Sequence, residues 1–242
     1  MKDLICFKTF TIAFIVFIFS CPATAQERWF EATAGTALSV PAAKGSPWTY
    51  RPKLLLHGGI SGFFSLNETF AIKTGALYQM KGMTTNASYT PDSVYSSASF
   101  RSQNTYHFIS VPLQLAVTFG RHHDDCYRIA AGMDYNFMVA GYSKIDVTSH
   151  NDNNGTVHES LTYRHLISVS PKDDIPGLAH HEGTPLHLFT PAFRLDFTYQ
   201  WQERLIISAF YEYNLQDVRM RTIDNSKVNL HYTGIALGVR FW

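Results

Sequence analysis

The chain has 242 residues, of which 45% are apolar and 14% aromatic, and its formal net charge is +1. A bundle of membrane helices would need several apolar runs of about 20 residues, which this sequence does not contain. A disordered chain would lack its 18 Phe, 13 Tyr and 4 Trp. The balanced charge gives no reason to expect a nucleic-acid partner, whose backbone would select a basic face, and the length favours one ordered domain.

Residues 1–25 have the three parts of a secretory signal peptide. Lys2 and Lys8 form a positively charged start, and residues 9–19 form an apolar stretch that is too short to span a bilayer. Residues 23–25, with the sequence Ala-Thr-Ala, form a small-x-small cleavage site. The sequence therefore predicts export, with residues 26–242 as the mature domain.

The cysteines limit how the mature domain is stabilised. Cleavage after residue 25 leaves Cys126 as the single cysteine, so no internal disulfide can form. The alternative of lipid attachment at Cys21 is disfavoured because Phe19 and Pro22 fit that signal badly. Stability must then come from sheet packing or from a membrane.

Eight segments of the mature sequence alternate apolar and polar side chains with the period of two that is typical of β-strands. In chain order they cover approximately residues 28–40, 53–65, 70–83, 106–119, 127–145, 187–201, 204–215 and 228–242. In the sixth segment Phe193 and Phe197 fall on one face, whereas Arg194 and Asp196 fall on the other. The two faces of each strand are thus predicted to meet different surroundings.

The connections between these strands alternate in length. Short connections lie at 66–69, 120–126 and 202–203, and long ones lie at 41–52, 84–104, 146–185 and 216–226. Outer-membrane barrels have short periplasmic turns and longer external loops, and a sheet can cross lipid only by closing on itself because lipid offers its backbone no hydrogen-bond partner. The pattern predicts an all-β, eight-stranded, antiparallel up-and-down transmembrane barrel in the outer membrane, monomeric, with long loops at about 84–104 and 146–185.

The ends of the strands favour the membrane form of this barrel. Phe30, Phe119 and Trp201 lie where the aromatic girdles of a membrane protein are expected. The alternative is a soluble, lipocalin-like ligand-binding barrel, which would turn its apolar face inward. In the membrane form the charged residues point into the barrel, whereas in the soluble form they lie on its outer surface.

In the membrane form the polar faces share one lumen. The charged residues on these faces are Glu31, Lys73, Lys81, Arg128, Asp134, Arg194, Asp196, Arg204, Glu212 and Arg240. An eight-stranded barrel is just wide enough for its side chains to fill it, and an unpaired buried charge is costly. We therefore expect a closed, salt-bridged lumen, with a proton or ion path as the alternative.

Several short motifs resemble the PorT-like outer-membrane β-barrel family. These are residues 74–78 (TGALY) with 81–82 (KG), Tyr106 with 109–113 (ISVPL), 119–120 (FG) and 130–132 (AAG). The resemblance covers most of the mature chain and implies an outer-membrane barrel. For the founding member it implies a part in protein secretion, which we do not transfer to this chain.

Two features depart from regular barrel strands. Pro112 and Pro191 fall inside proposed strands, and since proline cannot donate to a ladder, bulges or register breaks are expected there. Trp242 is the terminal aromatic residue, but the alternating apolar series of the last strand ends at Phe241 instead.

The loop at 146–185 contains the residues most suited to a metal ion. They are His150, His158, His165, His180 and His181, with Asp152, Glu159, Asp173, Asp174 and Glu182. Imidazole and carboxylate groups bind zinc or copper, but no HExxH motif occurs, so no metal or cofactor is assigned. Residues 122–126 (HHDDC) are a second candidate, for which a hydrophilic turn is the simpler interpretation.

An outer-membrane lipid or peptide hydrolase is the enzymatic alternative. Asp173 or Asp174 with His180 or His181 could activate water, and residues 158–160 (HES) place possible triad members side by side. Neighbours in a loop do not define triad geometry, and the Gly-x-Ser-x-Gly elbow is missing from the sequence. We expect no enzyme activity.

The expected function is that of an anchor, adhesion or assembly component. Its external loops would bind a protein partner, while lipid surrounds the barrel. In the second and third loops Tyr89, Tyr95 and Phe100 are the candidate anchors, because aromatic residues contribute most of the energy of many interfaces.

Overall fold

The computed structural model describes residues 27–44, 48–89, 97–120, 125–151, 155–166, 189–202, 204–216 and 227–241. Within them lie the strands β1 (Arg28–Lys44), β2 (Thr49–Arg51), β3 (Lys53–Ser65), β4 (Phe70–Tyr89), β5 (Ser97–Gly120), β6 (Cys126–Asn151), β7 (Gly155–Leu166), β8 (Phe189–Trp201), β9 (Leu205–Asn214) and β10 (Lys227–Phe241). No helix among the described residues is long and apolar enough to cross a bilayer. The expected signal peptide and Trp242 lie outside the described residues.

Eight of these strands close into an antiparallel barrel. Their order is β4-β3-β1-β10-β9-β8-β6-β5, and β5 pairs back with β4. The first and last strands of the chain are neighbours, with Phe30 opposite Phe241. This closure confirms the predicted eight-stranded up-and-down barrel.

The strands β2 and β7 lie beside the closed ring. β2 pairs with the end of β4 that lies away from the short turns, and β7 pairs with the corresponding end of β6. Together with the far ends of β4, β5 and β6 they form a five-stranded sheet in the order β2-β4-β5-β6-β7, at the side of the barrel opposite the short turns. We call this sheet, comprising residues 49–51, 82–89, 97–105, 141–151 and 155–166, the wall.

The wall occupies much of the sequence that was predicted as loop. In the predicted loop 84–104, β4 continues to Tyr89 and β5 begins at Ser97. In the predicted loop 146–185, β6 continues to Asn151 and β7 follows after a short connection. These strands were missed because beyond the membrane both faces of a sheet tolerate polar residues, so the apolar alternation fades.

The side chains of the barrel alternate between the outer surface and the interior. Large apolar side chains exposed on the outside include Leu54, Leu56, Ile60, Leu115, Ile207, Ile235, Leu237 and Val239. On β8 Phe193 is 44% and Phe197 51% exposed, whereas Arg194 between them is 4% exposed. Asp134 on β6 is fully buried. This arrangement confirms the predicted orientation and is the reverse of the one that a soluble lipocalin-like barrel requires.

The two prolines lie inside strands. Pro112 stays opposite Asp134 in the β5–β6 pair, but the β4–β5 ladder is interrupted beside it, as expected of a residue without an N–H. Pro191 lies near the start of β8. The register shift of the β5–β6 pair lies elsewhere, between His107 and Phe108.

Candidate functional site: the charged lumen and the wall

The lumen contains two layers of charge, and the first lies near the rim formed by the short turns. Arg128 of β6 forms an ion pair with Glu31 of β1. Its guanidinium carbon lies 4.4 Å from the ring centre of Phe63. Trp29 stacks on Phe63 with ring centres 5.0 Å apart and donates from Nε1 to Glu31 Oε1 at 3.1 Å. A carboxylate and an aromatic pair therefore hold this cation together.

Arg240 of β10 completes the first layer. Its guanidinium carbon lies 4.8 Å from the ring centre of Trp29, and its Nη1 donates to Gln200 Oε1 at 3.2 Å. Arg128 donates to the same oxygen at 3.4 Å.

The prediction that Arg204 points into the lumen is wrong. Arg204 is exposed, because β9 begins one residue later and Arg204 belongs to the short turn. Its carbonyl accepts a hydrogen bond from the backbone N–H of Arg240 at 2.8 Å. Without Arg204 the predicted lumenal set has five basic and four acidic members.

The second layer is centred on Arg194 of β8, midway along the barrel. Its Nε lies 2.9 Å from Asp196 Oδ1, and its Nη1 lies 3.4 Å from Asp134 Oδ2 and 3.8 Å from Glu212 Oε2. The ring centre of Phe210 lies 4.1 Å from its guanidinium carbon. One arginine thus joins carboxylates from β6, β8 and β9.

Two lysines of β4 complete the second layer. Lys73 Nζ lies 2.9 Å from Asp196 Oδ2, and Lys81 forms an ion pair with Glu212. The side chains of Lys81 and Glu212 are both fully buried, and Lys81 Nζ lies 5.3 Å from the ring centre of Phe108. These pairs confirm the expected salt-bridged lumen.

Apolar side chains share the lumen with the charges, although the alternation of the sequence did not reveal them. A buried cluster toward the wall consists of Met83, Tyr106, Phe108, Met138 and Leu230. The sequence spacing could have identified other aromatic residues of the lumen, since Trp29 precedes the lumenal Glu31 by two residues and Phe210 precedes the lumenal Glu212 by two. Residues two apart on a strand share a face, so these rings were predictable as lumenal.

Only part of the histidine-rich segment falls within the described residues. His158 and Glu159 are exposed on β7, and His158 Nδ1 lies 3.0 Å from Thr148 Oγ1. The described part of the chain contains no group of three or more His, Cys, Asp or Glu residues that could hold a metal ion. The following lie outside the residues or side chains that the structure describes: Tyr89, Tyr95, His150, Asp152, His165, Asp173, Asp174, His180, His181 and Glu182.

Ser160 and His158 have different partners in the wall. Ser160 donates from its hydroxyl to Asp146 Oδ1 at 2.7 Å, and Lys144 Nζ lies 3.4 Å from the same oxygen. The Ser160 hydrogen bond, helped by Lys144, lowers the pKa of Asp146 below its ordinary value. The structure therefore brings Ser160 to Asp146 and His158 to Thr148, rather than assembling residues 158–160 into a triad.

The candidate at residues 122–126 has only its last two residues described. Asp125 accepts a hydrogen bond from the hydroxyl of Tyr199 at 2.9 Å and one from the backbone N–H of Gln202 at 3.1 Å. Cys126 is buried and forms no disulfide. Asp125 thus links two of the short turns, which favours a structural role.

The two faces of the wall differ in chemistry. Residues paired across strands share a face, so Gln103 lies beside Thr84 and Lys144, and Arg101 lies beside Asn86 and Asp146. This is the outer face, which continues the lipid-facing surface of the barrel. The inner face, which continues the lumenal surface, carries the apolar Phe100, Ile145, Val147 and Val157 together with polar residues such as Ser102 and Glu159.

A known family and several solved structures are similar to the chain. A family model described as outer membrane protein beta-barrel domain matches residues 25–175. No curated protein matches the sequence.

The similar structures have low sequence identity. Ail, the attachment invasion locus protein of Yersinia pestis, is 12% identical, with 89% of this chain and 99% of that chain covered and a TM-score of 0.39. The outer membrane protein OprG from Pseudomonas aeruginosa is 11% identical, with 89% and 97% covered and a TM-score of 0.40. Neisserial surface protein A is 13% identical, with 90% and 98% covered and a TM-score of 0.33.

Proposed function

The chain belongs to the family of the outer membrane protein beta-barrel domain, and on this premise we propose that it is a non-enzymatic anchor that presents the wall to a protein partner outside the cell. It is an eight-stranded barrel of the outer membrane. Its role would be adhesion or assembly rather than transport, since paired charges and apolar side chains fill the described lumen.

The observation that carries this proposal is the length of the strands. β5 has 24 residues and β6 has 26, whereas a tilted membrane strand needs about 9 to 11. More than half of each strand is therefore available for a sheet outside the membrane. A sheet that continues a closed barrel is already ordered, so binding would cost less conformational entropy than binding by a flexible loop.

The inner face of the wall is the surface that we propose for the partner. Phe100, a candidate anchor from the sequence, lies on this face, and its ring centre is 6.1 Å from that of Trp48. Trp48 is 38% and Val157 47% exposed. An exposed aromatic residue that packs against a half-buried one, as Trp48 does against Phe100, is typical of the central contacts of protein interfaces.

Two finer assignments are also proposals. Membership of the PorT-like group is supported by motifs that fall on barrel strands, residues 74–78 on β4 and 109–113 on β5. A secretory signal at residues 1–25 is supported by the outer-membrane location of the barrel.

Site-specific photo-cross-linking in living cells would test the partner proposal. A photoreactive side chain at Phe100 or Val157 should yield a protein adduct, whereas one at the lipid-facing Leu115 should not. Deleting residues 150–180 should reduce the adduct at Phe100 while the barrel keeps its heat-modifiable migration. If neither Phe100 nor Val157 yields a protein adduct, that result would count against the proposal.

The enzymatic alternative predicts a different result. Purified protein would hydrolyse lipid or peptide, and His180→Ala with His181→Ala would remove that activity. Turnover that depends on these histidines would overturn the non-enzymatic assignment.

A further inference from the structure

The outer face of the wall contains a cleft of about 250 Å³. Its lining residues are Thr49, Arg51, Thr84, Asn86 and Arg101. They supply two guanidinium groups, two hydroxyls and one amide, all of which donate hydrogen bonds. Both arginines are exposed. The lining is therefore suited to an anion.

Strand pairing explains why the two arginines flank one cleft. Arg51 of β2 lies beside Thr84 of β4, and Arg101 of β5 lies beside Asn86 of β4. Neighbouring strands are about 4.8 Å apart, so the backbones of β2 and β5 are separated by about 10 Å across β4. The shorter side chains of β4 leave room between the guanidinium groups for a tetrahedral anion.

Asp146 is the acidic residue nearest this cleft on the described outer face of the wall, and its neighbours largely balance it. Asp146 lies opposite Arg101 on β6, but its Oδ1 accepts from Ser160 at 2.7 Å and lies 3.4 Å from Lys144 Nζ. The described outer face here carries Arg51, Arg101 and Lys144 against Asp146. Three positive charges against one negative charge leave a net charge of +2.

The height of the cleft above the membrane limits the source of the anion. Tyr78 and His107 lie side by side on the outer surface, with Tyr78 Oη 2.5 Å from His107 Nδ1. Because amphipathic rings collect at the membrane–water interface, we take this pair as the upper edge of the apolar belt on β4 and β5. Thr84 lies six residues beyond Tyr78, and Arg101 six beyond His107. With a rise of about 3.3 Å per residue and a tilt of about 40°, the cleft lies roughly 15 Å above that level.

We propose that this cleft binds a phosphate group of the glycolipid that forms the outer leaflet of the outer membrane. The cleft opens outward above the acyl chains, and its height matches the phosphorylated sugars of that glycolipid. Arginine suits this ligand because its planar fork donates two parallel hydrogen bonds to phosphate oxygens. The inference concerns the outer face of the wall and is independent of the protein partner proposed for the inner face.

Native mass spectrometry of the full-length protein in detergent would test this site. The probes are rough lipopolysaccharide, the same material after chemical dephosphorylation, and inorganic phosphate. We expect the wild type to bind the phosphorylated glycolipid at least tenfold more tightly than the dephosphorylated form. Inorganic phosphate should compete only weakly, because it lacks the sugars and the acyl chains that contact the barrel.

The variant for this test is the double substitution Arg51→Gln and Arg101→Gln, which keeps hydrogen-bonding groups but removes both charges. It should lose at least tenfold in affinity for the phosphorylated glycolipid, while its heat-modifiable migration stays normal. The matched control is Arg204→Gln, which removes an exposed arginine at the opposite rim and should bind as the wild type does.

Three results would overturn the proposal. One is equal binding of the phosphorylated and dephosphorylated glycolipids. The second is an undiminished affinity in a folded double variant. The third is binding of inorganic phosphate without any binding of the glycolipid, which would assign the cleft to a soluble anion.

Discussion

The membrane barrel and the wall share the strands β4, β5 and β6 but differ in the chemistry of their outer faces. On the outer face of β5, Ile109 and Leu115 lie within the barrel, and Arg101 lies in the wall. On the inner face polar and apolar side chains occur in both regions, and in the wall Ser102 shares this face with Phe100. The outer face of a continuous strand thus changes from apolar to polar where the surroundings change from lipid to water.

This change on the outer face shows which forces act in each region. In the barrel, lipid excludes charge from the outer face, and the lumen accepts charge only in pairs. In the wall, water solvates either face, so the side chains are free to serve binding. Substitutions should therefore be costly in the barrel and mild in the wall.

Removing one member of the buried pair in the barrel should have the largest effect. Glu212→Ala would leave Lys81 fully buried without its carboxylate, which costs about 3 to 5 kcal/mol of unfolding free energy. Urea titration of the protein folded into lipid vesicles would measure the loss. The control is Glu212→Leu with Lys81→Met, which removes both charges and should recover most of the stability. A single variant as stable as the wild type would show that the pair is not structural.

A charge on the lipid-facing surface should have the next largest effect. Leu237 is 68% exposed on the outside of β10, and Leu237→Arg should cost about 2 to 4 kcal/mol in the same titration. Gln103→Arg is the matched change on the outer face of the wall, and it should cost less than about 0.5 kcal/mol. Equal losses from the two variants would remove the distinction between the regions.

An aromatic substitution should separate the two regions more weakly. Phe63→Leu would remove the ring from Arg128 and from Trp29 in the lumen, which should cost about 1 to 2 kcal/mol. Phe100→Leu in the wall removes a half-buried ring that contacts Trp48, and we expect a smaller loss of stability. A larger effect at Phe100 would indicate that the wall supports the fold of the barrel.

The contrast also explains how much of the fold the sequence revealed. In the barrel, lipid forces each outward residue to be apolar, so alternation alone placed Phe193 outside and Arg194 inside. In the wall neither face is constrained in this way, and residues such as Ser99 and Thr148 gave no period. The far ends of β5 and β6 were consequently predicted as loop.

The candidate sites were less predictable, because they depend on which strands are neighbours. The ionic residues of the lumen were predicted from the alternation of side chains between the two faces of each strand. The error at Arg204 came from a strand boundary that was misplaced by one residue. The cleft requires Arg51 and Arg101 to meet across β4. They are 50 positions apart in the sequence, and the short strand β2 carries no alternation that would have revealed the pairing.

The smallest expected effect is the titration of Asp146 in the wall. The Ser160 hydrogen bond holds the pKa of Asp146 below its ordinary value of 3.8, so Ser160→Ala should raise this pKa toward 3.8 in a carboxyl NMR titration. Because the pKa is lower in the folded wall than in the unfolded chain, its stabilising contribution is fully present above pH 3.8 and is lost as the pH falls through the folded value. The protection of the β7 amides against hydrogen exchange, relative to their intrinsic rates, should accordingly fall only in that acidic range. The control is Ser88→Ala on β4, two strands away from Asp146, which should leave the titration unchanged. If Ser160→Ala did not change the pKa of Asp146, another group would be responsible for lowering it.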